Sequence, residues 1–331
     1  MKKYFLILGA CIVLGSCSTG EAAISSMMQG DSSQAPVFLG CRAVSEREVE
    51  FEFSKPVKVT SLAFDPAMAI ESVEEGSTVK VILKETAEPG MMITADLLAE
   101  DERRNTINVL VPFRARNNRM PVLVINEIRT DYSNPRVEFV EFKIKTAGNL
   151  GAMRVFLAGS SQKPTIYEFS PVEVNKDEYM TLHLRKREED CKDEYSNDLA
   201  ESGGTGSSPH ARDFWVPGIA KLINKTGVVY VMDQDDKVLD AVMFSENPDS
   251  WWTKDYLAET AEFLFSQGVW KSVDGKICGP QDAVSSQGTT ATRTICRDET
   301  AEKTNTKTNW YITATSGATP GTPNNPKRYE P

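Results

Sequence analysis

Apolar and charged residues alternate one by one along much of the first third of the chain. Residues 48–53, with the sequence EVEFEF, alternate strictly, and residues 78–84 place Val79, Val81 and Leu83 on one side. A period of two is typical of a strand that buries one face. Several short strands at regular spacing, without a convincing amphipathic helix, predict a β-sandwich. The remaining elements of this region are strands at 91–97 and 107–113 and turns at 54–56, 75–77 and 88–90.

A polar, basic stretch, RARNNRMP at residues 114–121, interrupts this alternation, and we place a domain boundary there. Strand-like runs resume at residue 122, and a hairpin with the turn DQDDK at 233–237 lies further along the chain. The pattern therefore predicts an all-β fold with two β-sandwich domains in tandem. The expected bounds are 37–119 for the first domain, 120–325 for the second and 326–331 for a short tail.

The first domain resembles bacterial immunoglobulin-like modules at two places. Residues 53–57, FSKPV, match a strand opening that is common in those modules, and residues 101–105, DERRN, loosely fit the turn before their last strand. The resemblance implies an immunoglobulin-like β-sandwich. It implies nothing about function.

The second domain resembles the bacterial form of the lamin-tail domain, in the order and spacing of its motifs. The matching pieces are INEI at 125–128, EFVE at 138–141, the hairpin at 233–242, Trp310 and TPGTPN at 319–324. Lys237 departs from the pattern, since the family usually has glycine there. Two stretches, at about 176–214 and 246–290, are longer than the compact family core, and we expect them to be insertions. The resemblance implies an immunoglobulin-like sandwich that serves as an interaction module and carries no catalytic residues.

The second of these insertions contains the one helix that the sequence predicts. Thr253 can cap its start and Gly268 can end it. Its apolar positions fall on one helical face, and they are Leu257, Ala261, Leu264 and Phe265.

Three tryptophans, Trp251, Trp252 and Trp270, flank this predicted helix. One interpretation is that the helix and its aromatic residues pack over an open end of the sandwich. The alternative is that the tryptophans form a binding surface.

The start of the chain has the three parts of an export signal, namely Lys2 and Lys3, an apolar run over 4–14 and small residues before a cysteine. The apolar run is well short of the roughly 20 residues that a membrane-spanning helix needs. The four residues that end this segment are Leu14, Gly15, Ser16 and Cys17.

This quartet resembles the bacterial lipobox, which implies cleavage before Cys17 and acyl chains such as palmitate on that cysteine. The expected product is a lipoprotein without its signal peptide, residues 1–16, and with a flexible tether over 17–36. Two or three acyl chains anchor a protein stably. A second match at 8–11 leaves a very short apolar core, and an ordinary signal peptide is the other alternative. The expected location is the cell membrane or outer membrane, on a periplasmic or surface-exposed face.

The formal charge of −10 over 331 residues argues against nucleic acid as a partner. Past Cys17 there are four cysteines and two histidines, without a CxxC pair, so we expect no zinc site and no cofactor. Cys278 and Cys296 are a candidate disulfide that would close a loop of about 19 residues and stabilise by roughly 3 kcal/mol. The pairing of Cys41 and Cys191 stays open.

Three further groups carry candidate chemistry. The acidic run 233–236 lacks the glycine and glutamate of a calcium-binding loop, which favours a plain hairpin turn. Glu138 and Glu141 lie on one strand, so a structural role is favoured over a hydrolytic carboxylate pair facing across a cleft. Serine hydrolase chemistry would need His183 or His210 beside a serine and an aspartate.

The sequence favours a non-enzymatic binding or scaffolding protein that is anchored through Cys17. Its expected partner is an envelope or extracellular protein or a glycan. Two alternatives stay open. One is an envelope hydrolase for esters or phosphoesters, with a cleft built by the insertions. The other is a ligand-binding lipoprotein that uses the tryptophan-rich insertion.

Overall fold

The computed structural model describes residues 34–159, 161–252, 254–272, 275 and 277–331. The lipobox residues Leu14, Gly15, Ser16 and Cys17 lie outside the described residues, as does Thr253. Within the described ranges, no helix has the length and apolar character that crossing a membrane requires.

Six antiparallel strands build the N-terminal part of the fold. They are β1 (Phe38–Ala43), β2 (Glu48–Asp65), β3 (Ile70–Glu74), β4 (Gly76–Leu83), β5 (Met92–Glu100) and β6 (Thr106–Arg114). The strand order is β3-β4-β2-β5-β6, with β1 also paired to β2. Val79, Val81 and Leu83 are at most 2% exposed, which confirms the side that the alternation predicted.

Strand β2 is 18 residues long and takes part in two sheets. Its first half pairs with β1 and β4, and its second half, from Lys58, pairs with β5. The predicted turn at 54–56 is therefore wrong, because these residues lie within the strand. The ladder with β4 breaks between Glu52 and Val57, so Pro56 sits where its missing N–H loses no ladder hydrogen bond.

The C-terminal part of the fold contains two larger sheets with one hydrophobic core between them. The six-stranded sheet has the order β14-β13-β8-β7-β18-β19, and the five-stranded sheet has the order β11-β10-β15-β16-β17. The strands are β7 (Leu123–Arg129), β8 (Phe139–Ile144), β9 (Gly148–Asn149), β10 (Arg154–Ala158), β11 (Thr165–Glu168), β12 (Glu173–Val174), β13 (Tyr179–His183), β14 (Ala211–Trp215), β15 (Gly227–Met232), β16 (Val238–Ser245), β17 (Val284–Ser285), β18 (Ile295–Arg297) and β19 (Trp310–Ile312).

The predicted all-β, sandwich-type fold is confirmed. One feature was not foreseen. Strands β13 and β14 come from the stretch 176–214, which the sequence suggested was an insertion, yet they form one side of the six-stranded sheet. They pair in parallel, since Tyr179 lies opposite Ala211 and His183 lies opposite Trp215.

The helix α1 (Asp255–Ser266) packs its buried residues Leu257, Ala261 and Leu264 against the main core. Gly268 follows the last turn with φ +68°, a conformation that favours glycine at a helix end. Both the predicted helix and its predicted end are therefore present. The residue at the N-terminal cap position is Lys254, and its side chain makes no capping hydrogen bond.

The segment between the two sandwiches, residues 115–122, is held in place by hydrogen bonds. The Asn117 side chain donates to the carbonyl oxygens of Asn149 and Gly151, both at 2.8 Å. The Asn117 backbone exchanges two hydrogen bonds with the Gln234 amide, at 2.9 and 2.8 Å. These contacts fix the β15–β16 turn and the loop before β10 against the start of β7.

Strand register defines two ends of the C-terminal sandwich. Leu123 and the turn after Met232 lie next to the first sandwich, at the proximal end. Arg129 lies opposite Phe139 and therefore at the other end of the same sheet. We call the loops 130–138, 184–187, 216–226 and 246–252 the distal end. Lys225 joins these loops across the sandwich, with its Nζ 3.7 Å from Asp131 and 4.0 Å from Glu246.

Candidate functional site

The outer face of the six-stranded sheet carries a row of side chains in direct register. Alternate residues of a strand point to opposite faces, so this row lies on the side away from the main core. The row contains charged and polar groups, but all its members except Tyr311 are fully buried. From β14 to β19 its members are Asp213, Thr181, Glu141, Glu127, Cys296 and Tyr311.

Two segments cover this row and donate backbone hydrogen bonds to its carboxylates. In the C-terminal strap, residues 313–325, the Thr319 N–H donates to Glu127 at 3.1 Å and the Gly321 N–H donates to Glu141 at 2.6 Å. In the glycine-rich loop, residues 202–210, the Ser208 N–H donates to Asp213 at 2.8 Å. A buried carboxylate that accepts such bonds ties the loop to the sheet.

The strap and the glycine-rich loop meet at Gly321. A Cβ at this position would lie 2.6 Å from the Ser208 hydroxyl oxygen and 3.0 Å from the Ala211 nitrogen. The φ of Gly321 is +84°, which also favours glycine. The glycine of the TPGTPN motif is thus required by a close approach of two covering segments.

Burial raises the pKa of both Glu127 and Glu141, and the Glu127 charge raises that of Glu141 further. Hydrogen bonds from Thr294 and Thr319 act in the opposite direction on Glu127. Burial also raises the pKa of the Cys296 thiol beside them. A thiol with a raised pKa is a poor nucleophile, because the thiolate is the reactive form. The geometry fits a framework role for these groups.

The rim of this row is a second polar cluster around Glu299. Lys143 Nζ donates to Glu299 at 2.6 Å and to the Tyr179 hydroxyl at 2.9 Å. Asn324, the last residue of the TPGTPN motif, donates to the carbonyl oxygens of Asn126 and Arg297 at 3.1 and 2.8 Å. The sequence showed Asn126 and Asn324 within two separate motifs, INEI and TPGTPN, without indicating that they meet. Their shared role is to close the strap over the sheet.

His183 and Asp213 form the arrangement that most resembles a catalytic pair. His183 Nε2 lies 2.7 Å from Asp213 Oδ1, and the imidazole stacks on Trp215 with 3.9 Å between ring centroids. Both side chains are buried, and no described residue bonds His183 Nδ1. Neither a serine hydroxyl nor a cleft therefore completes a Ser-His-Asp arrangement at His183 within the described part of the chain. His210 lies exposed outside this pair.

The other groups with candidate chemistry are held by ion pairs and turn hydrogen bonds. Glu138 is buried and accepts two hydrogen bonds from Arg185, both at 2.6 Å. Asp233 caps the β15–β16 turn by accepting from the backbone of Asp235 and Lys237. Arg116 binds Asp235 at 2.5 and 2.7 Å. The turn interpretation of 233–236 is confirmed, and the described residues contain no acidic group with metal-binding geometry.

The tryptophans of the insertion do not form one surface. Trp270 is 1% exposed, and its indole donates to the Asp282 carbonyl at 3.1 Å, so its assignment to a binding surface is wrong. It packs under α1, which a local pattern could not show. Trp252 is half-buried and donates to the Cys278 carbonyl. Trp251 is 87% exposed, so it is the member of the trio that a partner can reach.

The predicted disulfide between Cys278 and Cys296 is wrong. Cys296 is a free, buried thiol in the described structure, in the middle of β18 and 3.6 Å from the Thr294 hydroxyl. Its strand position faces the outer polar row, whereas the Cys278 backbone is bound to Trp252 beside the helix. Cys41 and Cys191 are also thiols rather than a bridge.

Other exposed apolar residues accompany Trp251 around the distal end. The Trp252–Cys278 hydrogen bond places Ile277, which is 62% exposed, next to the Trp251 segment. On the other side, Ile219 is 68% exposed and Tyr132 is 39% exposed. Loops at one end of a sandwich are a common place for recognition, since the strands hold them rigidly.

Comparisons with known proteins place the second part of the chain in a family. A protein of Treponema pallidum (strain Nichols), named only as an uncharacterized protein, is 28% identical over 186 residues. The match covers 53% of this chain and 46% of the relative, so the chain spans about half the length of that relative.

Among solved structures, the N-terminal part of the bacterial S-layer protein SbsC is matched with a TM-score of 0.26 and 12% identity. The match covers 68% of this chain and 47% of that one, and with so low a score it carries no argument. A family profile matches residues 121–312, which is more than half of the chain. The protein therefore belongs to the family described as "TP_1001_2nd: protein second domain".

Proposed function

We propose that this protein is a non-enzymatic binding or scaffolding protein of the cell envelope, and that it binds its partner through the distal end. The main observation behind the proposal is the high solvent exposure of Trp251. A tryptophan that is 87% exposed holds a large apolar area in water. Tryptophan is strongly enriched among the residues that dominate binding energy.

The polar groups inside the C-terminal sandwich support the same proposal. Glu127, Glu141 and Asp213 are fully buried, and each accepts a backbone hydrogen bond from a covering segment. Their role in this account is to hold the strap and the glycine-rich loop. The same motifs support a lamin-tail-like interaction domain, because INEI, EFVE and TPGTPN meet in one hydrogen-bonded unit.

The proposed partner is an envelope or extracellular protein. The expected test uses the full-length protein, cross-linked in intact envelopes and recovered by affinity. Trp251→Ala is expected to lower recovery of the partner at least tenfold. Leu110→Ala is the matched control, since Leu110 is 73% exposed on the first sandwich, and it should leave recovery unchanged. Equal recovery with Trp251→Ala would contradict the proposed surface.

The same tryptophans give a stability prediction that separates binding from folding. Trp251→Ala is expected to leave the free energy of unfolding within about 0.5 kcal/mol of the wild-type value, as for other exposed positions. Trp270→Ala, at the 1% exposed position, is expected to cost about 3–5 kcal/mol. Urea unfolding of the two variants beside the wild type measures both values. A large loss for Trp251→Ala would show that this residue serves the fold instead.

Lipid attachment at Cys17 is also part of the proposal, and it rests on the lipobox resemblance of residues 14–17. Cys17→Ala is expected to move the protein from the detergent phase to the aqueous phase in detergent partitioning. Cys11→Ala is the matched control, because Cys11 ends the weaker second match. Unchanged partitioning of Cys17→Ala would refute the lipid anchor, and the proposal about the binding surface would be unaffected.

A further inference from the structure

A guanidinium pair encloses Tyr132 at the distal end. The Arg185 guanidinium lies 4.6 Å from the Tyr132 ring centroid, and that of Arg187 lies 5.3 Å away. Arg187 Nη1 donates to the Asn134 side-chain oxygen at 2.5 Å and also to the Tyr132 hydroxyl. Tyr132 and Asn134 thus fix the position of the exposed Arg187 side chain.

The two arginines differ in how their charges are compensated. Arg185 is neutralised by the two 2.6 Å hydrogen bonds to Glu138. Arg187 is held by neutral acceptors, and no carboxylate of the described residues lies within 4.0 Å of it in an ion pair. Its guanidinium therefore lies outside any short ion pair among the described residues.

Two carboxylates that neighbour the cluster residues Arg187 and Tyr132 in sequence have contacts of their own. Glu188 accepts a hydrogen bond of 2.6 Å from the Thr205 N–H. Asp131 lies 3.7 Å from Lys225 Nζ. Hydrogen bonds from Thr205 lower the pKa of Glu188, and the nearby Arg187 charge lowers it further, so Glu188 balances part of that charge without a short ion pair.

The contacts of Arg187 leave its better recognition edge open. Arginine has five N–H donors, and both hydrogen bonds to Tyr132 and Asn134 use Nη1. The edge formed by Nε and Nη2 carries two parallel donors that match the two oxygens of a carboxylate. A guanidinium that is already positioned loses little side-chain entropy when such a group binds.

Apolar and basic groups lie beside this edge. Arg185 Nη1 donates to the Ile219 carbonyl at 3.0 Å, which places the 68% exposed Ile219 next to the Tyr132 cluster. Arg136 is exposed on the same loop as Tyr132. Tyrosine and arginine are enriched among the residues that dominate protein-binding energy.

We infer that the Tyr132–Arg187 cluster recognises a carboxylate side chain in an acidic segment of a partner protein. The inference rests on the proposed function and adds the chemistry of the partner. The chain as a whole carries a formal charge of −10, so a positioned cation without a short ion pair at the distal end supplies the local complementarity that an acidic partner needs. The adjacent Tyr132 and Ile219 favour a protein segment, which offers apolar contacts as well as charge.

The test measures binding of a fluorescent poly-L-glutamate to the full-length protein in detergent. Arg187→Gln is expected to weaken binding at least tenfold. The affinity of Arg187→Lys for poly-L-glutamate should fall between those of the wild type and Arg187→Gln, since lysine keeps the charge but loses the paired donors. Arg42→Gln is the matched control, because Arg42 is exposed on the first sandwich and paired to Glu50, and it should change binding less than twofold.

Heparin and vesicles of phosphatidylglycerol are the competing probes. The inference is overturned if the wild type does not bind poly-L-glutamate or if Arg187→Gln binds it as the wild type does. It is also overturned if Arg187→Gln weakens binding of heparin or vesicles more than binding of poly-L-glutamate. These outcomes are distinct from a failure of the proposed function. If partner capture depends on Trp251 but Arg187→Gln has no effect, the proposed function holds and the inference fails. If Trp251→Ala does not affect capture, the poly-L-glutamate measurement still tests Arg187 independently.

Discussion

Replacing Glu141 by alanine is expected to destabilise the C-terminal sandwich by about 1–3 kcal/mol. Glu141 is fully buried and accepts from the Gly321 N–H at 2.6 Å and from the Asn126 amide at 2.9 Å. Removing the acceptor leaves the buried Gly321 N–H unsatisfied, which costs about 1–3 kcal/mol. The Asn126 amide still donates to Glu299 at 3.0 Å. The unfavourable burial of the carboxylate itself offsets part of this loss. Urea unfolding at neutral pH measures the difference.

Glu74→Ala is the matched control for this prediction. Glu74 lies on β3 with an exposed side chain, and its loss should change the free energy of unfolding by at most about 0.5 kcal/mol. A loss below about 1 kcal/mol for Glu141→Ala, similar to that of the control, would mean that Glu141 does not hold the strap.

The pH dependence of stability should also depend on Glu141. Burial raises its folded-state pKa well above the ordinary value of 4.5. The folded state therefore holds the proton more tightly, so this contribution to stability is full below pH 4.5 and is lost as pH rises through the folded-state pKa. Unfolding measured from pH 4.5 upwards should show a smaller decline in Glu141→Gln than in the wild type. Parallel curves would contradict the assignment.

The second large effect is expected at the junction between the sandwiches. A Cβ at Gly151 would lie well inside 3.0 Å of the Pro89 carbonyl oxygen, so Gly151→Ala must push two backbones apart. The shift breaks the hydrogen bond from Asn117 to Gly151 and loosens the adjacent segment. We expect a loss of about 1–3 kcal/mol, as for other overpacking changes, and faster trypsin cleavage after Arg116 and Arg119 by at least tenfold.

Gly40→Ala is the control for this junction variant, because a Cβ at Gly40 meets nothing within 4 Å. It should leave both the unfolding free energy and the cleavage rate at Arg116 and Arg119 near those of the wild type. If Gly151→Ala is cleaved as slowly as Gly40→Ala, the junction is not what restrains this segment.

Local alternation was sufficient to predict β4, β5, β6 and the first part of β2 in the first sandwich, but not β1 or β3. The inward side of β4 follows directly from Val79, Val81 and Leu83, because a strand with one buried face needs no distant information. The same reasoning failed at Ser54–Pro56, where turn-forming residues sit within the bend of a long strand. Whether such residues end a strand or let it change sheets depends on neighbours that are distant in sequence.

The outer polar row could not be predicted for the same reason. Glu127 and Glu141 were visible within the INEI and EFVE motifs, but a motif on one strand does not show which strand or loop lies against it. Register sets the two carboxylates opposite each other, and the strap that covers them comes from residues almost 200 positions away from Glu127. The repeated occurrence of acidic residues in motifs with glycine and asparagine was the available signal. The burial of Trp270 likewise depends on long-range packing.

The central claim is that the distal end of the C-terminal sandwich contacts the partner. Photo-crosslinking tests this claim most directly, with p-benzoylphenylalanine placed at position 251 and, for comparison, at position 110 of the full-length protein in intact envelopes. Both positions carry highly exposed side chains, on opposite sandwiches. The account predicts a specific adduct from position 251 and none from position 110, and an adduct from position 110 alone, or none from either, would contradict it.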